Sequence, residues 1–303
     1  MKVGYKNNKE KYLVWHIEGG LGKNVAATSL LSSIKEKYPD REIILTVSYP
    51  EVFINNPDVH RVYSLGNIPY FYQDYIEDKD VLVFRQEGYF QSGHITKQKH
   101  LINSWCDMFD IEYKGQLPVI NFNFVQKRMI NLWKREKPIF LIQSNGGAME
   151  DSKIYSWTRD IPPLIVKNIV EKYSKDYHII QVCRNKDEVV FGVNEAYHQK
   201  MSNFELFSLL AASNKRVLID SCLQHAAAAL DLPSTVLWVG TSPKIFGYEL
   251  HSNMIANPPK NKPKLINSYL FDYSFNGDSI ECPYNEVLEI FNLENIYESI
   301  DNL

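Results

Sequence analysis

The chain has 303 residues, of which 45% are hydrophobic and 23% charged, with a formal net charge of −3. This is a globular rather than a disordered composition, and the length suits two domains of ordinary size or one large one. The slight negative charge excludes a general electrostatic attraction to nucleic acid or anionic lipid, although it leaves a local basic patch open.

The cysteines and the first residues indicate the compartment. Cys106, Cys183, Cys222 and Cys282 are widely spaced and form no C-x-x-C pair, which favours free thiols over a zinc knuckle or a thioredoxin-type site. The chain begins with polar and charged residues rather than a secretory apolar segment. No apolar run approaches the ~18 residues of a membrane span. We therefore predict a cytoplasmic protein.

The first half of the chain alternates apolar strands with helices, which predicts a parallel sheet. The predicted elements are strands at 12–17, 43–47, 61–64, 81–84 and 118–122, and helices at about 24–37 and 101–109. A glycine-rich segment, 18–24, joins the first strand to the first helix. Loops at the carboxyl edge of such a sheet are where ligands bind.

Three kinds of phosphate loop compete for this glycine-rich segment. A Walker A loop is excluded because Ile17 and Asn24 stand where it needs Gly and Ser or Thr. A dinucleotide fingerprint is met only in part by Gly20 and Gly22, and the acidic residue expected after the second strand is missing. The third kind is a Gly-x-Gly-Asp loop followed by a helix, which Gly20 and Gly22 match and in which Lys23 replaces the Asp.

Polar and aromatic residues surround the strand at 81–84. Glu87 lies just past it, at a carboxyl edge, and His94 begins a basic run that reaches His100. For Glu87 and His94 the alternative is an ordinary solvated loop. The aromatic cluster at 70–75 could stack on a sugar or a base, although we favour burial in a core.

The second half repeats the alternation after a charged helix at 125–137, where we place the domain boundary. Its first strand ends in Gln143, Ser144 and Asn145, followed by two glycines. Small polar residues and glycines at this position allow a phosphate to approach the backbone. Further elements are predicted at 163–174, 177–183 and 203–212.

Residues 217–239 read as strand, tight turn, short helix and strand, with Asp220 and Ser221 in the turn. Ser221 is a good N-cap, so the positive helix end faces the carboxyl edge of the sheet, a position that suits an anion. His225 lies four residues on, on the same helix face. The alternative is an ordinary buried crossover in which His225 is a satisfied core histidine.

This segment resembles the donor-site signature of the family 9, heptosyltransferase-like glycosyltransferases, which have the GT-B fold. The shared features are Asp220-Ser-x-x-x-His225-x-Ala-x-Ala, an aliphatic-Asp-x-Pro turn, a strand, and Gly240-Thr241-Ser242-Pro243. In the first half, Gly20-Leu21-Gly22 followed by a helix resembles the N-terminal loop of the family. The Asp that acts there as acceptor base is replaced by Lys23.

The resemblance implies an α/β protein with two Rossmann-like, doubly wound parallel-sheet domains that face each other across a cleft. We expect an acceptor-side domain at 1–130 and a nucleotide-sugar domain at 131–284. The C-terminal helices, at 285–303, are expected to pack back on the first domain.

The resemblance also implies residues on both sides of the cleft. The expected donor-binding residues are Gln143, Ser144, Asn145, Lys153, Trp157, Arg184, Asp220, Ser221, Cys222 and His225, with Arg159 as the alternative to Lys153. On the acceptor side they are Gly20, Gly22, Asn24 and His94. A protonated Lys23 cannot accept a proton, but it can stabilise the leaving diphosphate or bind an anionic acceptor. Glu18, Glu87 and His94 are then the candidate bases.

We therefore predict a metal-independent glycosyltransferase that moves a sugar from a nucleotide-diphosphate sugar to a hydroxyl of a glycan or another acceptor. No cofactor is expected beyond this donor substrate. One alternative, favoured by Lys23, is a catalytically silent protein that binds nucleotide-sugars or glycans. Another is a glycosyltransferase that modifies DNA bases, against which the net negative charge argues.

Overall fold

A computed structural model describes residues 9–85, 87–96, 99–146, 157–198, 201–258, 282 and 284–303. Within this part, the alternating elements form two separate parallel sheets, as the sequence predicts. The same part contains no helix long and apolar enough to cross a membrane.

The first sheet is built from β1 (Lys11–Ile17), β2 (Glu42–Val47), β3 (Val59–Ser64) and β4 (Asp80–Phe84), in the order β3-β2-β1-β4. The helices around it are α1 (Leu21–Ala27), α2 (Leu31–Lys37), α3 (Phe71–Tyr75), α4 (Ser92–Ile95) and α5 (Leu101–Phe109). Side chains alternate between the two faces. Leu13 and Trp15 pack in the main core with α1, α2 and α5, whereas Tyr12 and Val14 face α3.

The second sheet is built from β5 (Ile139–Gln143), β6 (His178–Val182), β7 (Glu195–Tyr197), β8 (Lys215–Ile219), β9 (Thr235–Trp238) and β10 (Ser252–Ile255), in the order β10-β9-β8-β5-β6-β7. The helices of this half are α6 (Phe124–Ile130), α7 (Pro163–Tyr173), α8 (Asn203–Ala212), α9 (Cys222–Ala229), α10 (Pro243–Phe246) and α11 (Leu293–Asp301). Leu141 faces α8 and α9 in the main core, and Phe140 faces α7 in a second core.

The first helical segment differs from the prediction in two ways. It begins at Leu21, so Lys23 lies in α1 rather than in the loop. It is also interrupted by a 3-10 turn, because the hydroxyls of Thr28 and Ser29 donate to the carbonyls of Val25 and Ala26 at 2.7 Å. Such back-bonding by Ser and Thr competes with regular helix geometry.

The strand predicted at 118–122 is wrong, because these residues form no ladder. The N–H of Val119 donates instead to the hydroxyl of Thr28, at 2.7 Å. The next segment, α6, contacts both halves of the chain. Asn55 donates to Gln126 at 3.0 Å, while α6 itself packs against α8.

The last helix lies on the second domain rather than returning to the first, contrary to expectation. Its apolar residues Ile296 and Ile300 are buried in the core that contains α7. Ser299 and Thr235 form a hydroxyl pair at 2.7 Å, and the Lys215 ammonium donates to the carbonyl of Ile300 at 2.7 Å. The apolar stripe of α11 therefore completes the cover of the second sheet.

Candidate functional site

Strand order locates one crevice in each sheet. The direction in which strands are added reverses between β1 and β4 in the first sheet, and between β5 and β8 in the second. At such a switch point the loops leave neighbouring strands in opposite directions, which opens a crevice at the carboxyl edge. Glu18 and Glu87 follow the first pair of strands, whereas Gln143 and Asp220 mark the second. Residues singled out in the sequence therefore flank both crevices.

The helix that follows β1, α1, packs against the helix that follows β8, α9. A β carbon added to Gly22 would stand 2.8 Å from Cδ2 of His225 and 3.2 Å from the Cα of Cys222. Ser221 and Cys222 are partly exposed. The start of α9 at Ser221 and Cys222, called here the mouth of α9, therefore lies at the contact between the two domains, called here the seam.

The glycine-rich loop is held by its own helix. Asn24 is fully buried, and its amide donates to the carbonyl of Gly20 at 3.0 Å and to that of Gly19 at 3.4 Å. Gly19 has a φ of 103°, which favours glycine, and the aliphatic part of Lys23 lies over it. Asn24 thus fixes the loop shape from within the fold.

Lys23 and Glu87 form a buried ion pair in which the ammonium donates to both carboxylate oxygens. Their side chains are 6% and 17% exposed. The Lys23 ammonium also lies 5.2 Å from the centre of the Tyr89 ring. The structure thus brings together two of the predicted catalytic residues, but as a neutral pair that links α1 to the loop after β4.

Glu18 is the accessible carboxylate among the predicted catalytic residues, since its side chain is 57% exposed. Its Oε2 lies 3.8 Å from Nε2 of His16. The other ring nitrogen of His16, Nδ1, lies 3.0 Å from the hydroxyl of Thr46. The imidazole is therefore fixed between β2 and the glycine-rich loop.

The mouth of α9 is not closed by its N-cap. Ser221 is extended, with φ −157° and ψ −177°, and its side chain makes no capping hydrogen bond. Nε of Arg159 lies 3.7 Å from Oδ2 of Asp220, and a β carbon on Gly146 would lie 3.9 Å from Cδ of Arg159. A cation, a helix start and a glycine-containing loop therefore converge here.

Three neighbouring strands end in buried polar atoms that have no hydrogen-bond partner in the described part of the chain. These atoms are Oε1 of Gln143, Oδ2 of Asp220 and Oγ1 of Thr241. Gln143 is the last residue of β5, whereas Asp220 and Thr241 follow β8 and β9, and the three strands are adjacent in the sheet. Buried polar groups in folded proteins are almost always satisfied, so this row fits a site whose ligand supplies the missing partners.

Other residues predicted to bind the nucleotide-sugar donor make hydrogen bonds or ion pairs within the protein. Arg184 is buried and donates to Asp160 at 2.6 Å and to Glu188 at 2.7 Å, so it links two loops of the second domain. The hydroxyl of Ser144 donates to Oδ1 of Asn145 at 2.8 Å.

Of two further residues predicted to bind the donor, one is buried in a core and the other lies outside the described chain. Trp157 lies in the second core. Lys153 lies outside the described residues.

His225 and His94 belong to the core between the domains. Nδ1 of His225 lies 2.7 Å from the hydroxyl of Tyr248, and burial lowers the pKa of this histidine to about 3. His94 is completely buried between Tyr89 and Phe246, at ring distances of 5.2 and 5.4 Å. His225 thus follows the core-histidine alternative, and His94 is not a surface residue of an acceptor loop.

Sequence reasoning missed Asp160, which organises this site. Its carboxylate accepts from the N–H of Gly146 at 3.1 Å as well as from Arg184. It thereby fastens the loop after β5 and holds the segment that carries Arg159. No motif or periodicity signals a contact between residues 14 positions apart in two irregular segments.

Among the described residues, no group of three or more His, Cys, Asp or Glu side chains is arranged to hold a metal ion. No family model matches the sequence, and none of the curated proteins does.

Solved structures with the same fold are nonetheless found. Heptosyltransferase II from E. coli matches with a TM-score of 0.63 and 12% identity, over 95% of this chain and 97% of that one. A family 9 glycosyl transferase from Veillonella parvula matches with a TM-score of 0.69 and 8% identity, over 97% of each chain. The iron-containing heptosyltransferase TibC in complex with ADP-D-beta-D-heptose gives 0.64 and 11%, over 97% of this chain and 75% of that one.

These similarities define a two-domain GT-B fold with Rossmann-like halves, of the type found in heptosyltransferases and family 9 glycosyltransferases. The resemblance inferred from the sequence is confirmed at the level of the fold.

Proposed function

We propose that the protein is a glycosyltransferase that binds a nucleotide-diphosphate sugar at the mouth of α9. The observation that carries this proposal is the row of buried polar atoms on Gln143, Asp220 and Thr241 beside that helix start, which make no hydrogen bond within the described part of the chain. Hydroxyls of a sugar and oxygens of a diphosphate supply the donors and acceptors that these atoms lack. Proteins of the same fold have been solved with ADP and with ADP-heptose bound.

The diphosphate is the part of the donor that α9 and Arg159 recognise. The first N–H groups of a helix and its dipole favour an anion at this end, and Ser221 does not cap them. A guanidinium can hold phosphate oxygens in a bidentate arrangement. Arg159, which was the alternative to Lys153 in the sequence analysis, is therefore the residue whose positive charge binds the phosphate.

The transfer step requires a base on the acceptor side. A hydroxyl oxygen of the acceptor attacks the anomeric carbon, and the bond from that carbon to the phosphate oxygen breaks. The hydroxyl proton passes to the carboxylate of Glu18, and the nucleoside diphosphate leaves with the bonding electrons, stabilised by Arg159 and the α9 amides. Glu18 takes this role because it is exposed, whereas Glu87 is held by Lys23. The step is metal-independent.

A catalytically silent nucleotide-sugar binder is the second candidate. One observation favours it: Lys23, at the position of the family's acceptor base, is locked in an ion pair. The two candidates differ in turnover, because only the transferase releases nucleoside diphosphate when an acceptor mixture is supplied.

Thermal unfolding in the presence of nucleoside diphosphates and nucleotide-sugars tests the donor site. A ligand at a hundred times its dissociation constant adds about 2.7 kcal/mol to the free energy of unfolding. Asp220→Asn and Arg159→Gln should each weaken binding about tenfold, since each removes a charge-assisted contact. Arg128→Gln, on the exposed side of α6, is the matched control. If none of these ligands stabilises the wild-type protein, the donor site is refuted.

A further inference from the structure

We infer that the first domain carries a subsite for a neutral saccharide, which runs from Glu18 to Tyr70 along the α3 side of the sheet's carboxyl edge. This subsite deepens the proposed function, on which its role as acceptor site rests. Its ligand class follows from three features: a continuous path of contacts, a strained exposed tyrosine, and the charge of the surrounding segment.

The path of contacts crosses the first three strands in order. Glu18 lies 3.8 Å from His16, and His16 lies 3.0 Å from Thr46 on β2. Thr46 is paired in register with Tyr63 on β3. The ring of Phe71 packs on that of Tyr63, with centres 5.9 Å apart. Phe71, the residue after Tyr70, therefore lies over the carboxyl end of β3, two strands away from the strand that Glu18 follows.

The loop before α3 starts at this edge. The N–H of Leu65 donates to the carbonyl of Val47, the last residue of β2, at 3.0 Å. Neighbouring strands lie about 4.8 Å apart, so the ends of β1 and β3 are separated by about 10 Å. A ligand that touches both Glu18 and Tyr70 must therefore be longer than a single sugar ring.

The backbone conformation and the exposure of Tyr70 are both unfavourable for the stability of the folded chain. Its backbone is left-handed, with φ 60° and ψ 3°, a conformation that disfavours a bulky residue. Its side chain is 74% exposed, and that of Tyr72 is 60% exposed. Phe71 and Tyr75 alone of this aromatic cluster pack inward, against Tyr63. The core interpretation of the cluster thus holds for two residues, and Tyr70 is left as an open aromatic surface.

The chemistry around Tyr70 selects an uncharged, hydroxyl-rich ligand. Aromatic side chains present an apolar face with a polar tip, a surface on which the C–H face of a sugar packs. Residues 65–73 contain no charged side chain, and Asn67 and Gln73 supply amide donors and acceptors. The carboxylates at the two ends, Glu18 and Asp74, repel an anion. A neutral saccharide fits these surroundings better than a phosphorylated one.

An array of neutral and acidic glycans, probed with the full-length protein, tests the subsite. The wild-type protein should be retained on neutral glycans of two or more units, and Tyr70→Ala should lose at least tenfold of this binding. Phe191→Ala, which truncates an exposed aromatic of the second domain, is the matched control and should bind as the wild type does. Tyr70→Gly should also lose binding while unfolding at an equal or higher temperature, because glycine accepts the left-handed backbone.

Several outcomes overturn the inference. They are no retention of the wild type, a preference for acidic glycans, unchanged binding by Tyr70→Ala, or a large loss of stability in Tyr70→Gly. Nucleoside diphosphate binding, measured by thermal unfolding on the same samples, separates the two proposals. Glycan binding without nucleotide binding would support the saccharide subsite and refute the transferase. Nucleotide binding without glycan binding would support the donor site and refute the saccharide subsite.

Discussion

Gly22 of the first domain lies against the imidazole of His225 in the second, so closely that an added β carbon would stand 2.8 Å from the ring. The contact lies beside Cys222, the first residue of α9. Residues of both domains, from Leu13 to Tyr248, belong to one continuous core around it. The proposed donor site is therefore built on a packed seam between the domains, and packing changes there are expected to reach the site.

Gly22→Ala should lower the free energy of unfolding by about 1–3 kcal/mol, because the methyl group overpacks the contact between α1 and α9. It should also weaken nucleotide binding, since the mouth of α9 adjoins this contact. Gly20→Ala is the matched control, because among the described residues no atom beyond the chain neighbours of Gly20 lies within 4 Å of its added β carbon. Thermal unfolding and nucleotide titration check both variants. Equal free energies of unfolding for the two variants would show that α1 and α9 move apart to accept the methyl group without loss of stability.

Glu87→Gln should destabilise the protein by about 3–5 kcal/mol, because it leaves the ammonium of Lys23 buried without its counter-charge. Glu18→Gln should leave stability nearly unchanged, since this side chain is exposed, but should abolish sugar transfer. Denaturant unfolding and the release of nucleoside diphosphate measure the two effects. Full transfer activity in Glu18→Gln would assign the proton transfer to another group.

Arg184→Gln and Arg159→Gln should separate structure from ligand binding. Arg184 pairs with the buried Asp160 and the partly buried Glu188, so its loss should cost about 3–5 kcal/mol of stability. Arg159 stands at the mouth of α9, so its replacement should mainly raise the dissociation constant for nucleoside diphosphates. Calorimetric titration beside thermal unfolding distinguishes the two results. If Arg184→Gln instead weakens nucleotide binding and Arg159→Gln lowers stability, the phosphate binds near Arg184, at the end of β6.

Stability should fall as the pH is lowered from about 6.5 toward 4.5. Burial lowers the pKa of His94 and His251, and it lowers the pKa of His100 to about 4 and of His225 to about 3. The unfolded chain binds these protons near the ordinary histidine pKa of about 6.5, so it gains protons that the folded state excludes.

Carboxylates with a lowered pKa affect the pH dependence of stability below about pH 4.5. Hydrogen bonding to Arg135 is the main cause that lowers the pKa of Glu195 to about 2, so the stability due to Glu195 is lost only below its unfolded pKa, near 4.5. Urea unfolding at pH 7, 6 and 5 checks the histidine contribution. His94→Leu should flatten this dependence, because it removes one of the buried histidines with a lowered pKa. An unchanged slope in this variant would contradict the assignment.

Much of the fold follows from local patterns. Apolar runs bounded by glycine and polar residues identified the strands of both sheets, because buried parallel strands are apolar on both faces. The strand at 118–122 failed because an extended apolar run does not show whether a neighbouring strand is available. The position of α11 failed for a related reason: its amphipathic pattern shows that one face is buried, but not which domain covers it.

Local patterns predict the two alternating halves, the glycine-rich loop, and the turn at Asp220 and Ser221 before a short helix, because strand and helix periods and capping preferences act over a few residues. Which strands are neighbours, and so where the crevices lie, is visible only in the folded chain. The same is true of the contact between Lys23 and Glu87, the core position of His225 and the hydrogen bond from Gly146 to Asp160. These contacts join distant segments, and packing and charge burial in three dimensions select them.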